Sequence, residues 1–143
     1  MFDMPVKEVM SRRAAVKAAP TISAQKAARL MLDKNVGAVL VIEDEKLIGI
    51  FTERDVVFRV VARGLDPAKT PIRDVMTPAP HVAPPDKPFG AALLVMHERG
   101  FRHMPVVDGD KVLGIVSARS AMDPELEEFV SEAERRRHLA ELL

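Results

Sequence analysis

Apolar positions along the chain follow two rhythms in turn, one of helical period and one of strand type. Ala14 to Ala18 reads as a short strand broken by Ala19-Pro20. Thr21 or Ser23 then caps a helix carrying Ala27, Ala28, Leu30, Met31 and Leu32, which Asn35 and Gly37 end. Val39 to Ile42 is a continuous apolar run of buried-strand type. Glu43 to Lys46 is a polar hairpin turn, and Leu47 to Thr52 is the partner strand. Arg54 to Arg63 suits strand or helix by propensity; Arg59 and Arg63, four apart on one face, favour a helix.

The same order then returns. His81 to Ala83 is a short strand, and Asp86 to Arg99 is a helix with Ala91, Ala92, Leu94, Val95 and Met96, closed by Gly100. Pro105 to Val107 and Val112 to Val116 flank Asp108-Gly109, a strong hairpin signal. The repetition is visible in the letters too. Val6 to Met10 (VKEVM) recurs as Ile72 to Met76 (IRDVM), an offset of 66 residues. Val39 to Asp55 recurs as Met104 to Ser120, an offset of 65, and a single one-residue gap between the two matches accounts for the change. Each unit, about 55 residues, is too short to bury a core alone, and two packed together solve that problem.

The chain therefore divides into a first repeat (1–62), a linker (63–71), a second repeat (72–122) and a C-terminal amphipathic helix (123–143). Gly64, Pro67 and Pro71 keep the linker irregular. Asp123 caps the tail helix, with Pro124 at its first position, glutamates in the first turn and Arg135 to Arg137 near the end. Leu126, Phe129, Val130 and Ala133 form an apolar stripe, so this helix is expected to pack on something, its own body or a partner chain.

Composition removes several classes. No cysteine means no disulfide, thiolate metal site or cysteine nucleophile. Lysine plus arginine equal aspartate plus glutamate at 21 each, so no global field favours nucleic acid. Six Phe with no Trp or Tyr leave few rings for stacking bases, and nucleic-acid binding is not expected. No apolar run approaches the roughly 18 residues that cross a bilayer, and MFDMPVKEVM has no secretory pattern. No membrane association and a cytoplasmic location are expected. His81, His97, His103 and His138 lack metal-ligand spacing, and no nucleophile elbow, Walker loop or G-x-G-x-x-G is present. Neither metal nor catalytic residues are expected.

The V-x-x-V-M lead-in and the hairpin ending Gly49-Ile50-Phe51-Thr52-Glu53-Arg54-Asp55, with its echo Gly114-Ile115-Val116-Ser117-Ala118-Arg119-Ser120, resemble a CBS domain. The pair, from about Pro5 to Met122, resembles a Bateman module. The resemblance implies an α/β (α+β) fold of two tandem β-α-β-β-α repeats with pseudo-twofold symmetry. It also implies adenosyl ligands between the repeats, disc-shaped homodimers, and regulation of an attached or partner protein rather than catalysis.

A carboxylate accepts hydrogen bonds from both ribose hydroxyls, which suits Asp55; Thr52 adds a hydroxyl, and the amides of the helix beginning at Glu53 can hold phosphate. T-x-x-D is also an acidic capping box, and the two readings are compatible. Carried over from the family, Asp55 faces Pro80, His81 and Val82, with Phe101, Arg102, His103 and Met104. Val82 and Met104 would sandwich the base, and Arg102 and His103 would contact phosphate, though from the letters alone a solvated arginine reads equally and a structural histidine more readily. Arg54 is a second phosphate contact, since an anion nearby offsets a cation's penalty in a helix's first turn. The other cleft would use Val16, Lys17, Gly37, Ala38, Ser117 and Ser120. Ser120 stands at the position of Asp55 and cannot clamp two hydroxyls with charge, so this cleft should bind weakly or stay empty.

These features together point to a sensor of AMP, ADP or ATP, with S-adenosylmethionine or NAD less favoured. A ligand-free dimerisation or protein-interaction module is the alternative.

Overall fold

A computed structural model describes residues 2–10, 15–121 and 123–142. The chain opens with one helical turn, α1 (Val6–Val9), then strand β1 (Lys17–Ala18) and helix α2 (Ala24–Lys34). A hairpin follows, β2 (Ala38–Glu43) and β3 (Lys46–Thr52), and then a turn, α3 (Glu53–Asp55), that widens into π-helix over Val56–Val61. The second half holds a 3-10 turn (Ile72–Asp74), strand β4 (Thr77–Pro78), helix α4 (Phe89–Arg99), and the hairpin β5 (His103–Asp108) and β6 (Lys111–Ser117). A 3-10 turn (Ala118–Ala121) and helix α5 (Asp123–Leu142) complete it. The architecture is mixed α/β with two similar halves.

Local chemistry explains most of the boundaries. The Lys26 amide donates to the Ser23 hydroxyl at 3.1 Å, capping α2, and Asn35 closes that helix in the left-handed region at φ 52°. Gly100, at φ 75°, closes α4 in the same way. Helix α4 starts at Phe89 rather than Asp86, because the preceding segment spends its carbonyls elsewhere. Val6 donates to the Lys87 carbonyl at 2.8 Å and Lys7 to that of Pro85 at 3.1 Å. Asp86 is left outside the helix and pairs with Lys7 at 2.9 Å.

Two further elements differ from expectation. The strand expected over His81 to Ala83 reduces to one parallel bridge, Ala83 to Val106, because Pro80 and Pro84 flank it and lack amide donors. The helix expected over Arg54 to Arg63 is a three-residue α-turn followed by π-helix, as the bond from the Ala62 amide to the Val57 carbonyl at 2.9 Å marks.

The two hairpins match in detail. Ala38 pairs with Thr52 and His103 with Ser117, and both ladders slip at equivalent points, Val41/Ile42 and Val106/Val107. The first sheet runs β1-β2-β3-β4, and the second is the β5-β6 pair. Strand β4 belongs by sequence to the second repeat but pairs with β3, Gly49 opposite Pro78.

That crossing is general: the repeats exchange their lead-in segments. Ile72 and Val75 are buried in the first core with Ala27, Met31, Val39, Val41 and Phe51. Val6 is buried in the second core with Phe89, Met96, Met104, Val106 and Val116. Met76 lies over Gly49 and Met10 over Gly114, positions where a side chain on the glycine would collide with the methionine sulfur. The opposite face of β2 and β3 (Ala38, Leu40, Ile50) packs on Val112 and Ile115 of β6, which joins the two sheets. On α5, Phe129, Ala133, Leu139 and Leu142 are exposed, so within this chain the apolar stripe lacks a cover at these positions. The cap on Asp123 and the side chains of Pro124, Leu126 and Val130 lie outside the described residues, as does Ala14.

Candidate functional site: a cleft between the repeats

A cleft of about 1080 Å³ opens between α3, the segment around β4, and the turn from α4 into β5. Thr52, Arg54, Asp55, Pro80, His81, Phe101, Arg102 and His103 all line it, eight positions marked in the sequence. So do residues that sequence reasoning passed over: Ile50, Glu53, Phe58, Arg59, Thr77 to Ala79, Arg99 and Gly100 among them.

Asp55 is the one charged or polar side chain counted with the buried residues, at 7% exposure, among the described residues. The Thr52 amide donates to its Oδ2 at 2.9 Å and the Thr52 hydroxyl at 3.1 Å, while the Asp55 amide donates to Thr52 Oγ1 at 3.3 Å. The capping box is therefore formed, and the carboxylate also lines the cleft. Its Oδ1 faces Arg59 Nε at 3.4 Å, and Arg59 Nη1 donates to the Met76 carbonyl at 2.7 Å. The signal for Arg59 was available, since it stands four residues after Asp55 on a helical face.

The cap has a consequence for phosphate. The Glu53 amide donates to the Gly37 carbonyl at 3.0 Å and the Asp55 amide to Thr52, so two of the amides expected to cradle an anion are occupied.

Across the cleft, the rings of His81 and Phe101 stack in parallel, 5.5 Å between centroids with 5° between planes. Val82 is exposed and outside the lining, and Met104 is fully buried in the second core, so these two do not form the expected sandwich. The stacked pair is the aromatic surface of the cleft instead. Arg54 reaches the Gly100 carbonyl at 3.4 Å and lies over the Phe58 ring, 5.1 Å from its centroid. A side chain on Gly37 would meet Glu53 Oε1 at 3.0 Å and His103 Nε2 at 3.1 Å, which places that carboxylate and imidazole beside the same glycine. Burial lowers the His103 pKa below its ordinary value; Glu53 opposes that shift and Arg102 reinforces it. Ala79, on the cleft wall between two prolines, holds φ at 44°, a left-handed conformation that is costly for a residue with a side chain.

Val16, Lys17, Gly37, Ala38, Ser117 and Ser120 do not line this cleft. Ser117 and Ser120 form a neutral copy of the cap, with amide-to-hydroxyl distances of 3.3 and 3.2 Å and 3.1 Å between the two hydroxyls. Lys17 is exposed, Val16 half-buried, and Ala38 buried at the seam between the sheets. Among the described residues no His/Asp/Glu cluster could hold a metal, and no helix is long and apolar enough to cross a membrane.

Known proteins share this fold. Residues 6–62 and 72–124 each match the CBS domain family. The CBS domain-containing protein YhcV of Bacillus subtilis is 35% identical over 112 residues, covering 78% of this chain and 79% of its own. The Arabidopsis thaliana protein CBSCBSPB1 is 40% identical over 99 residues, 68% of this chain, but the match spans only 18% of that longer protein. Among solved structures, an uncharacterised conserved protein from Pyrococcus horikoshii superposes with TM-score 0.80 at 28% identity, covering 87% of this chain and 94% of its own. The CBS domain pair of protein MJ0100, in complex with 5'-methylthioadenosine and S-adenosyl-L-methionine, superposes with TM-score 0.75 at 26% identity, covering 83% and 97%. Two family matches on two structurally equivalent halves, joined by exchanged lead-in segments, establish that this chain belongs to the CBS domain family as a tandem pair.

Proposed function

We propose that the chain is a regulatory, non-catalytic module whose cleft binds an adenine nucleotide or a related adenosyl compound. The observation that carries this reading is Asp55, a carboxylate almost fully buried yet set in the wall of an open cleft. Desolvating a carboxylate is costly unless its lone pairs are used. Thr52 and Arg59 use some of them, and the rest suit the paired hydroxyls of a ribose. The stacked His81–Phe101 pair with Pro80 supplies a flat apolar surface for adenine. Arg54 and Arg102 supply charge for phosphate, Arg102 with a planar fork that binds phosphate bidentately. Adenosyl ligands on MJ0100 support the same ligand class here.

A ligand touching α3 from the first repeat and β5 from the second adds contacts across the cleft and biases the relative tilt of the halves. An attached or partner protein reads that tilt. Leu32, Val57, Val61 and Leu94 are large apolar side chains left exposed on helical faces, which supports self-association into a homodimer.

A thermal-shift panel of AMP, ADP, ATP, S-adenosylmethionine and NAD tests the reading. A ligand at 100 times its Kd stabilises the fold by about 2.7 kcal/mol and raises Tm by several degrees. A flat panel removes the sensor and leaves a duplicated interaction scaffold.

A further inference from the structure

We infer that the cleft selects nucleoside polyphosphates over monophosphates, a preference that rests on the nucleotide reading above. Four arginines, Arg54, Arg59, Arg99 and Arg102, line the cleft against two carboxylates, Glu53 and Asp55. The charges are not evenly distributed. Arg59 is matched to Asp55 at 3.4 Å and tied to the Met76 carbonyl, so it belongs to the carboxylate end. Glu53 is turned toward Gly37 and His103, its Oε1 within 3.0 Å of where a Gly37 side chain would begin.

The other three arginines line the cleft near the turn from α4 into β5. Arg54 reaches the Gly100 carbonyl at 3.4 Å, Arg99 immediately precedes that glycine, and Arg102 follows two residues later. Arg99 and Arg102 are both exposed. The negative end of α4 favours cations at this turn.

A phosphate monoester carries at most two charges, which two guanidiniums already balance. The third arginine would then remain beside two like charges. A diphosphate or triphosphate chain brings three or four charges and spans enough length to engage all three. A cleft of about 1080 Å³ has room for the longer chain beside the nucleoside.

Titration calorimetry on the full chain with adenosine, AMP, ADP and ATP in EDTA, at low and moderate salt, tests this selectivity. ATP is expected to bind at least tenfold more tightly than AMP, about 1.4 kcal/mol, with the margin narrowing as salt rises. Replacing both exposed arginines (Arg99→Gln with Arg102→Gln) should weaken ATP tenfold or more while changing adenosine less than twofold. Equal affinity for AMP and ATP, or equal losses for adenosine and ATP in the double variant, overturns the selectivity and leaves adenosine binding standing. Failure of all four compounds to bind overturns the nucleotide reading and this selectivity with it.

Discussion

His103 sits where the two halves meet, and its proton is a sensitive reporter of that seam. Burial lowers its pKa, and the groups that act on it are Glu53, which favours the charged ring, and Arg102, which disfavours it. The unfolded chain therefore binds this proton more readily than the folded one. Stability rises with pH through the window below about 6.5, the ordinary histidine value, and is lost as acid charges the ring. Melting curves of the free protein from pH 7.5 to 5 should show Tm falling, and His103→Gln should flatten the slope below pH 6.5. A polyanion in the cleft reverses the preference by favouring the charged ring, so nucleotide affinity should strengthen as pH falls across the same range.

At the scale of elements, the exchange of lead-in segments ties the two halves of the cleft together. Gly49 in β3 makes room for Met76, the Met76 carbonyl holds Arg59, and Arg59 faces Asp55. A segment of the second repeat thus positions a carboxylate of the first. Adding one methyl at Gly49 would place a carbon 2.3 Å from the Met76 sulfur, so the methionine must move. Gly49→Ala should cost about 1–3 kcal/mol by chemical denaturation, the usual range for overpacking, and should also weaken nucleotide binding. An unchanged affinity would show that the Met76–Arg59–Asp55 chain does not hold the site.

The same elements show what was legible in the sequence. Both hairpins, α2 and the Thr52–Asp55 cap could be read directly, because alternation, capping and turn residues act over a few positions. The exchange could not be read. VKEVM and IRDVM were visible as repeats, but nothing local says that each packs on the other copy. Strand β4 was missed for the same reason, since Thr77 and Pro78 become a strand only by meeting β3. Met104 was carried over from the family as a base contact, whereas here its side chain is buried in the second core, a placement that only long-range packing decides. Arg99 was read only as the last residue of a helix; the cleft that it lines is completed by Arg54 from the other repeat.

For the whole molecule, the proposed ligand site is the seam between two similar halves, where the cleft beside Asp55 is open and Ser120 stands at the equivalent position of the other half. The exposed apolar face of Val57 and Val61 is the surface on which two such molecules are proposed to meet. Val61→Glu should shift a dimer to monomer by light scattering on a sizing column, and a wild-type monomer at micromolar concentration would contradict the dimer.

The most direct measurement of the central claim is ATP affinity by calorimetry for the wild type, Asp55→Asn and Ser120→Ala, with folding of each checked by its melting curve. Asp55→Asn keeps most of the shape of the cap but removes the charge offered to the ribose, and it should weaken binding at least tenfold. Ser120→Ala should alter it less than twofold. Equal effects of the two substitutions, or an Asp55→Asn protein that binds as the wild type does, would contradict a nucleoside held on that carboxylate.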